Sequence, residues 1–352
     1  MLRRLSTRQV HAALLVVLVV VLLISAGVGA YTYTPSEIVR YIGQVIGLVS
    51  TTGADSLERN VFLTLRLPRV LLSAITGAVL GVSGSLMQGL FRNPIVEPGL
   101  AGTSAGAALG AALVFVLGGG SLAMTSLGLF AVPVFAFAGG FAATMIVYRV
   151  SSAFGKVNVF TLLLAGIAIN AVCGAGTGFL SYIARDPQAR NITFWNLGTF
   201  TGASWTAVAW SSICLGTGFV IVIRRAKALD ALMLGEDEAA LLGVNPRRLI
   251  LTLLIVNTVM VSAVTAAVGV IAFVGLVVPH MLRMLKSPSY AFLIPASALL
   301  GASLLAGIDV VARVLIPPAE LPIGIITAII GAPVFLLILL RDQRRGLSGM
   351  YG

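Results

Sequence analysis

Charge is what this sequence has least of. Only 10% of its 352 residues are Asp, Glu, Lys or Arg, where an average soluble domain carries about 25%. Cysteine is nearly absent too. Cys173 and Cys214 both lie in apolar runs, so neither a disulfide framework nor a cysteine metal site is expected. The two histidines, His11 and His280, are not spaced as a ligand pair, and His280, alone at a span end, is read as a packed or interfacial residue. There is no phosphate-binding loop. The Gly155-Lys156 pair is followed by Val157 and has no glycine-rich turn before it, so this chain is not expected to hydrolyse ATP. No aspartate-rich cluster suits magnesium-pyrophosphate chemistry. The apolar runs are almost free of ionisable groups, which argues against a proton or sodium relay. No catalytic residue stands out.

What the chain does have is hydrophobic surface: 58% of its residues are apolar and the mean hydropathy is +1.04. Apolar runs fall at roughly 11–31, 66–90, 98–117, 124–148, 158–184, 203–223, 248–269, 271–286, 290–307 and 322–341. Each is about the ~20 residues that one bilayer crossing needs. The expected fold is an all-α polytopic membrane protein of ten transmembrane helices, one transmembrane domain over 1–352. The first run is longer than a signal-peptide core and is taken as an uncleaved span. Of 23 basic residues, only Arg40, Arg59, Arg66, Arg69, Arg185, Arg190 and Arg313 fall on the proposed outside. That bias puts both termini in the cytoplasm. The formal charge of +11 is therefore read as topology and not as a nucleic-acid surface.

Local chemistry adds detail. Thr34-Pro35-Ser36-Glu37 reads as a helix start with a capping box, opening a short external helix to about Val49. Residues 51–60 read as a polar loop. Gly102, Gly106 and Gly110 repeat at four-residue spacing, which places them on one helix face where another backbone can approach. Between the second and third spans, Arg92-Asn93-Pro94 forms an elbow, since Pro94 keeps Asn93 out of helical geometry. It is either a tight turn or a gate at a pore mouth. The segment of about 226–246 reads RRAKALDALMLGEDEAALLGVNPRR with its flanking arginines, and Gly235 and Gly243 break it into short helical pieces. It mixes Asp230, Glu236, Asp237 and Glu238 with Leu232, Met233, Leu241 and Leu242, too many apolar residues for a solvated loop. A docking element for a neighbouring protein is favoured.

Arg66, Arg69 and Arg313 sit at outer span ends. They are either interfacial anchors or a receptor for carboxylates. Arg185, Asp186, Arg190, Asn191 and Trp195 make a polar segment before the sixth span, with Trp195 and Trp205 read as interface aromatics.

Six ordered blocks resemble one family. They are RLPR with QGLFRNPIVEPGLAGTSAGAALG, LLLAGIAINA, ITFWNLGTFTGASW, LGEDEAALLGVNPRR, GVIAFVGLVVPHMLR and AELPIGIITAIIGAPVFLLILLR. Together they are similar to the FecCD-type permeases, the membrane subunits of ATP-driven importers for ferric siderophores, haem and cobalamin. The resemblance implies a multi-pass protein of the cell inner membrane, paired with a second copy of itself. Two ATP-binding cassette subunits would sit below, consuming ATP, and a periplasmic binding protein above. It implies binding-protein docking at Arg66, Arg69 and Arg313, and a cytoplasmic gate at Asn93 and Ile95. A second gate loop would lie near 150–157. ATPase coupling would run through Glu236, Asp237, Glu238, Leu241, Leu242 and Gly243. The elbow and the block DPQARNITFWNLGTFTGASW are most like the haem-importing members, so haem ranks first as cargo, a ferric siderophore second and cobalamin third. Neither a covalent cofactor nor a resident metal is implied. Two departures stand out. KSPSY (286–290) replaces a Gly-x-Asp-His-Arg run, and Ile95-Val96-Glu97 replaces Leu-Ala-Asp. An ion-coupled transporter acting alone, a lipid-modifying transferase and a scaffold are the rival classes.

Overall fold

The computed structural model describes residues 6–29, 31–45, 56–118, 128–152, 159–285, 289–316 and 319–348. Among these, all regular structure is helical. In order the helices are α1 (Thr7–Gly27), α2 (Pro35–Val45), α3 (Ser56–Val61), α4 (Leu67–Leu90), α5 (Thr103–Leu117), α6 (Gly128–Ser151), α7 (Val159–Ile183) and α8 (Asp186–Asn196). Then come α9 (Trp205–Arg224), α10 (Ala226–Leu232), α11 (Glu236–Leu241), α12 (Pro246–Val268), α13 (Val274–Leu285), α14 (Tyr290–Val314) and α15 (Ile323–Ser348). Seven helical stretches among the described residues are long and apolar enough to cross a membrane, and three shorter apolar ones, Thr103–Leu117, Val274–Leu285 and Ile323–Leu337, accompany them.

Helix α4 is the hub. Nearly all of its residues are buried, from Pro68 to Leu90, against α14, α13, α12 and α9. Small residues allow this. A Cβ on Gly77 would overlap the carbonyl of Gly301, and one on Gly301 the carbonyl of Gly77, so the two backbones touch. The expected glycine face also appears in part: Gly106 and Gly110 of α5 lie against the backbone of Gly139 and Phe135 of α6. Gly102 serves differently. Its φ of 88° lies in the left-handed region and ends the short 3₁₀ turn Pro98–Ala101 before α5 begins.

Two expectations need correcting. The polar stretch before the second span is helical from Ser56, and only its residues 51–55 lie outside the described ones. A π-helical turn, Phe62–Arg66, joins α3 to α4. It precedes Pro68, whose ring cannot donate to the ladder, and the wider turn absorbs the break in register. The polar segment before the sixth span, given no element from the sequence, forms helix α8.

The second correction concerns the runs 98–117 and 271–286, expected as full spans. Helix α5 starts only at Thr103 and α13 only at Val274. At ~1.5 Å per residue these are about 22 and 18 Å long, short of a ~30 Å hydrocarbon core. Non-helical backbone precedes both helices. Gly269 (φ 79°) and Phe273 (φ 68°) bend the chain ahead of α13, and Gly275 lies against Gly84, well inside α4. Irregular backbone at depth is tolerated where protein buries it or where it lines a cavity. Here both apply, and the two broken ends meet: the backbone N–H of Phe273 donates to Glu97 Oε1 at 2.7 Å.

The capping box expected at Thr34 is present. Thr34 N–H donates to Glu37 Oε2 at 2.7 Å, and Glu37 N–H to Thr34 Oγ1 at 3.4 Å. The Thr34 N–H, then its hydroxyl, hold the Glu37 carboxyl below its ordinary range. The end of α2 expected near Val49 lies outside the described residues.

Candidate functional site

Three arrangements in this frame are candidate sites. The first is where the start of α4 meets the end of α14. Arg66, Arg69 and Arg313 come together there, and each is already engaged. Arg69 donates from Nε and Nη2 to Asp309 (2.9–3.3 Å) and from Nη1 to both oxygens of Glu320, at 2.9 and 2.7 Å. Arg313 pairs through Nε with Asp309 at 3.0 Å. Its two amino groups donate to the Val28 and Ser25 carbonyls and to Ser25 Oγ at the end of α1. Arg66 donates to the carbonyls of Val28 (2.6 Å) and Tyr31 (3.1 Å) and lies over the Tyr33 ring. Asp309 is fully buried and Arg313 only 7% exposed, so Arg313 offers no open surface and instead pins α1 to α14. Sequence reasoning missed Asp309 and Glu320. The signal was present: Asp309 is an acid within an apolar run, one helical turn before Arg313.

The second arrangement lies at the opposite ends of these helices, after α4 and before α14. The elbow is a formed turn. Arg92 takes a left-handed φ of 49°, and Asn93 Oδ1 accepts from Ile95 N–H at 3.0 Å. Ile95 is exposed. Arg92 Nη2 reaches Glu236 Oε1 at 3.1 Å, which joins the elbow to the 226–246 segment. That segment forms α10 and α11, separated by Gly235 (φ 143°) and closed by Gly243 (φ 80°), as its glycines indicated. Its two faces differ. Leu229, Leu232 and Ala239 are buried, while Met233, Leu234, Leu242 and, at 88% exposure, Leu241 face outward. Glu236, Asp237 and Glu238 occupy the first turn of α11, where negative charge complements the helix terminus.

The segment is also keyed into the membrane helices. Asp230 accepts from Tyr290 N–H at 2.8 Å and from Ser289 Oγ at 3.2 Å, capping the start of α14. The Tyr290 hydroxyl accepts from Arg283 Nη2 at 3.1 Å, and Arg283 Nη1 donates to Gln88 Oε1 at the end of α4. Gln88 in turn donates to the Leu276 carbonyl of α13. Thus α10, α14, α13 and the last turn before the elbow form one polar chain. The departure KSPSY acquires a role through its last two residues, Ser289 and Tyr290. Residues 286–288, and most of the second gate loop (153–158), lie outside the described residues.

The third arrangement is an open pocket of about 440 Å³ beside α5 and α7, lined by Gly99, Ser104, Asn170, Gly174, Thr177 and Asn196 among others. Its polar groups are uncharged amides and hydroxyls, and Asn170 Nδ2 donates to the Gly99 carbonyl at 3.1 Å. Trp205, 47% exposed at the start of α9, donates to the Leu63 carbonyl, and Trp195 packs beside Ala107 and Ala266. Arg190 lies over Phe194 on α8. Among the described residues, no three His, Cys, Asp or Glu side chains gather as metal ligands.

Residues 17–341 match the FecCD transport family. The chain is 40% identical over 346 residues to the hemin transport system permease protein HmuU of Yersinia pestis, covering 98% of this chain and 99% of that one. It is 39% identical over 280 residues to the cobalamin import system permease protein BtuC of Halobacterium salinarum, covering 80% and 73%. Among solved structures it resembles a metal-chelate-type ABC transporter in an inward-facing conformation, with a TM-score of 0.80 and 29% identity over 95% of this chain and 99% of that one.

Proposed function

The chain belongs to the FecCD transport family, and from that premise we propose that it moves haem across the bacterial inner membrane by alternating access. It is a multi-pass permease subunit of an ABC importer of the metal-chelate, haem and cobalamin class, in a family without ATPase activity of its own. The observation that carries the haem reading is end-to-end similarity to a hemin permease, where the cobalamin permease of Halobacterium salinarum matches over 80% of the chain. A ferric siderophore is the second reading.

In this mechanism ten spans run with both termini in the cytoplasm, the seven long helices and three short apolar ones serving as crossings. Two copies enclose the path, and the exposed apolar faces of α7 and α15 are available to the second copy and to lipid. A periplasmic haem-binding protein docks at the outer cluster, on Arg66 and Arg69 with Arg313 buried behind them. Two ATP-binding cassette subunits grip the outward face of α10 and α11 through Leu241, Leu242 and the turn at Gly243. Their closure reaches α14 through Asp230, and reaches the Asn93–Ile95 elbow through Glu236 and Arg92. Uncharged groups such as Ser104 and Asn170 let a large flat ligand pass without holding it.

Proteoliposomes with permease and ATPase, supplied with haem-loaded or siderophore-loaded binding protein, test this. ATP-dependent haem uptake is expected. Siderophore uptake without haem uptake would overturn the cargo, and uptake driven by an ion gradient without the ATPase would overturn the importer.

A further inference from the structure

The Arg69 guanidinium has two edges, and carboxylates of its own chain cover both. The Nε/Nη2 edge faces Asp309, whose side chain is fully buried. No partner can enter there. The Nη1 corner faces Glu320, 36% exposed and held at 2.7 and 2.9 Å. It is the outward-facing side of the ion pair. The neighbouring Arg66 spends its amino groups on backbone carbonyls, and Arg313 is buried. A carboxylate arriving from solvent therefore finds the best position on this cluster taken.

We propose that Glu320 is an intramolecular stand-in for the docking carboxylate, displaced from Arg69 when an acidic partner protein binds. The inference rests on the docking reading above and deepens it. Charge explains why the exchange is feasible. Asp309 alone faces both Arg69 and Arg313, so removing Glu320 leaves two guanidiniums on one carboxylate and restores attraction for an incoming acid. With Glu320 seated, the cluster is neutral across these four side chains, which suppresses docking of weakly acidic surfaces.

The exchange has a structural consequence. Glu320 also accepts from Thr201 Oγ1 at 3.3 Å, and it lies just before α15. The first residues of that helix are tied to the same region: Ile323 N–H donates to the Gly198 carbonyl at 3.0 Å, and Gly324 N–H to the Leu197 carbonyl at 2.8 Å. Releasing Glu320 removes the carboxylate contact on the strap leading into α15, while the backbone bonds of Ile323 and Gly324 stay in place.

A plain anchoring role for Glu320 makes the opposite prediction, so affinity separates the two. The permease–ATPase complex in nanodiscs is titrated with its binding protein, comparing wild type, Glu320→Gln, Arg69→Ala and the double variant. Loss of the competitor is expected to tighten Glu320→Gln by about fivefold, the factor that ~1 kcal/mol of exposed ion pairing represents. Arg69→Ala is expected to weaken binding, and the gain from Glu320→Gln to vanish in its background. Should Glu320→Gln assemble poorly, Glu320→Asp, which keeps the charge but withdraws it from Nη1, is expected to show a smaller gain. Unchanged or weaker binding by the Glu320 variants, with Arg69→Ala still harmful, overturns the stand-in and spares the docking site. Unchanged binding by Arg69→Ala overturns the docking site itself.

Discussion

Replacing Asp230 by alanine tests whether the 226–246 segment transmits force. Asp230 is the one acid of that segment that reaches into the membrane helices, capping α14 through Tyr290 N–H at 2.8 Å and holding Ser289 Oγ at 3.2 Å. Loss of a side-chain cap costs about 1 kcal/mol, within a range of ~0.5–2. Its negative charge at a helix N-terminus contributes about 0.3–1 kcal/mol more. The contact between α10 and α14 is thus weakened by about 1.5 kcal/mol, roughly a tenfold change in an equilibrium. The outward face at Leu241 and Leu242 is untouched, so the ATPase should still assemble and hydrolyse ATP. Uptake per ATP in proteoliposomes is expected to fall, by up to about tenfold if this contact is the main route. Asp230→Asn, which keeps an acceptor oxygen and loses the charge, should fall less. Thermal melting in detergent checks that both variants remain folded. Wild-type uptake per ATP in Asp230→Ala would refute the route through α14.

Three further outcomes are expected. Gly77→Ala places a Cβ against the Gly301 carbonyl and should lower the melting temperature, by at least the ~1–3 kcal/mol of ordinary overpacking; Gly178→Ala, with nothing within 4 Å, should leave it unchanged, and equal effects would disprove the close-packed seam. Asp309→Ala strips the buried counter-charge from Arg69 and Arg313, at a cost of about 3–5 kcal/mol, read as loss of monodisperse protein on size exclusion; a stable, monodisperse variant would refute it. The Glu37 carboxyl, held below its ordinary value of 4.5 by Thr34, should titrate below that value in carboxyl-carbon NMR, identified by its absence in Glu37→Gln. Because its folded value is depressed, the capping box is intact above the unfolded value and is lost only as pH falls through the folded one. A midpoint at or above 4.5 would count against the box.

Much of the fold was legible because it is written locally. Ten apolar runs of bilayer length need no tertiary knowledge, and neither does the box at Thr34 and Glu37. Gly106 and Gly110 declared a close helix contact by spacing alone. Gly235 and Gly243 marked where α10 and α11 end, since few other residues take those backbone angles. The elbow was legible for a similar reason, with Pro94 limiting Asn93. The helix at Ser56 was missed because its polar residues look like a loop until α4 continues it.

By itself, then, the sequence determined that this chain lives in a bilayer, how many apolar segments it has and where glycine and proline punctuate its loops. Periodicity, length and glycine chemistry act over a few residues, so they can be read along a line. Only the tertiary structure decided which groups meet. Arg69 finds Asp309 across 240 positions, Glu97 closes the start of α13 across 176, and Arg92 reaches Glu236 across 144. Such pairings depend on how the helices pack around α4. In a protein with so few charges, burial beside one particular partner is what turns an arginine such as Arg313 into an anchor between helices.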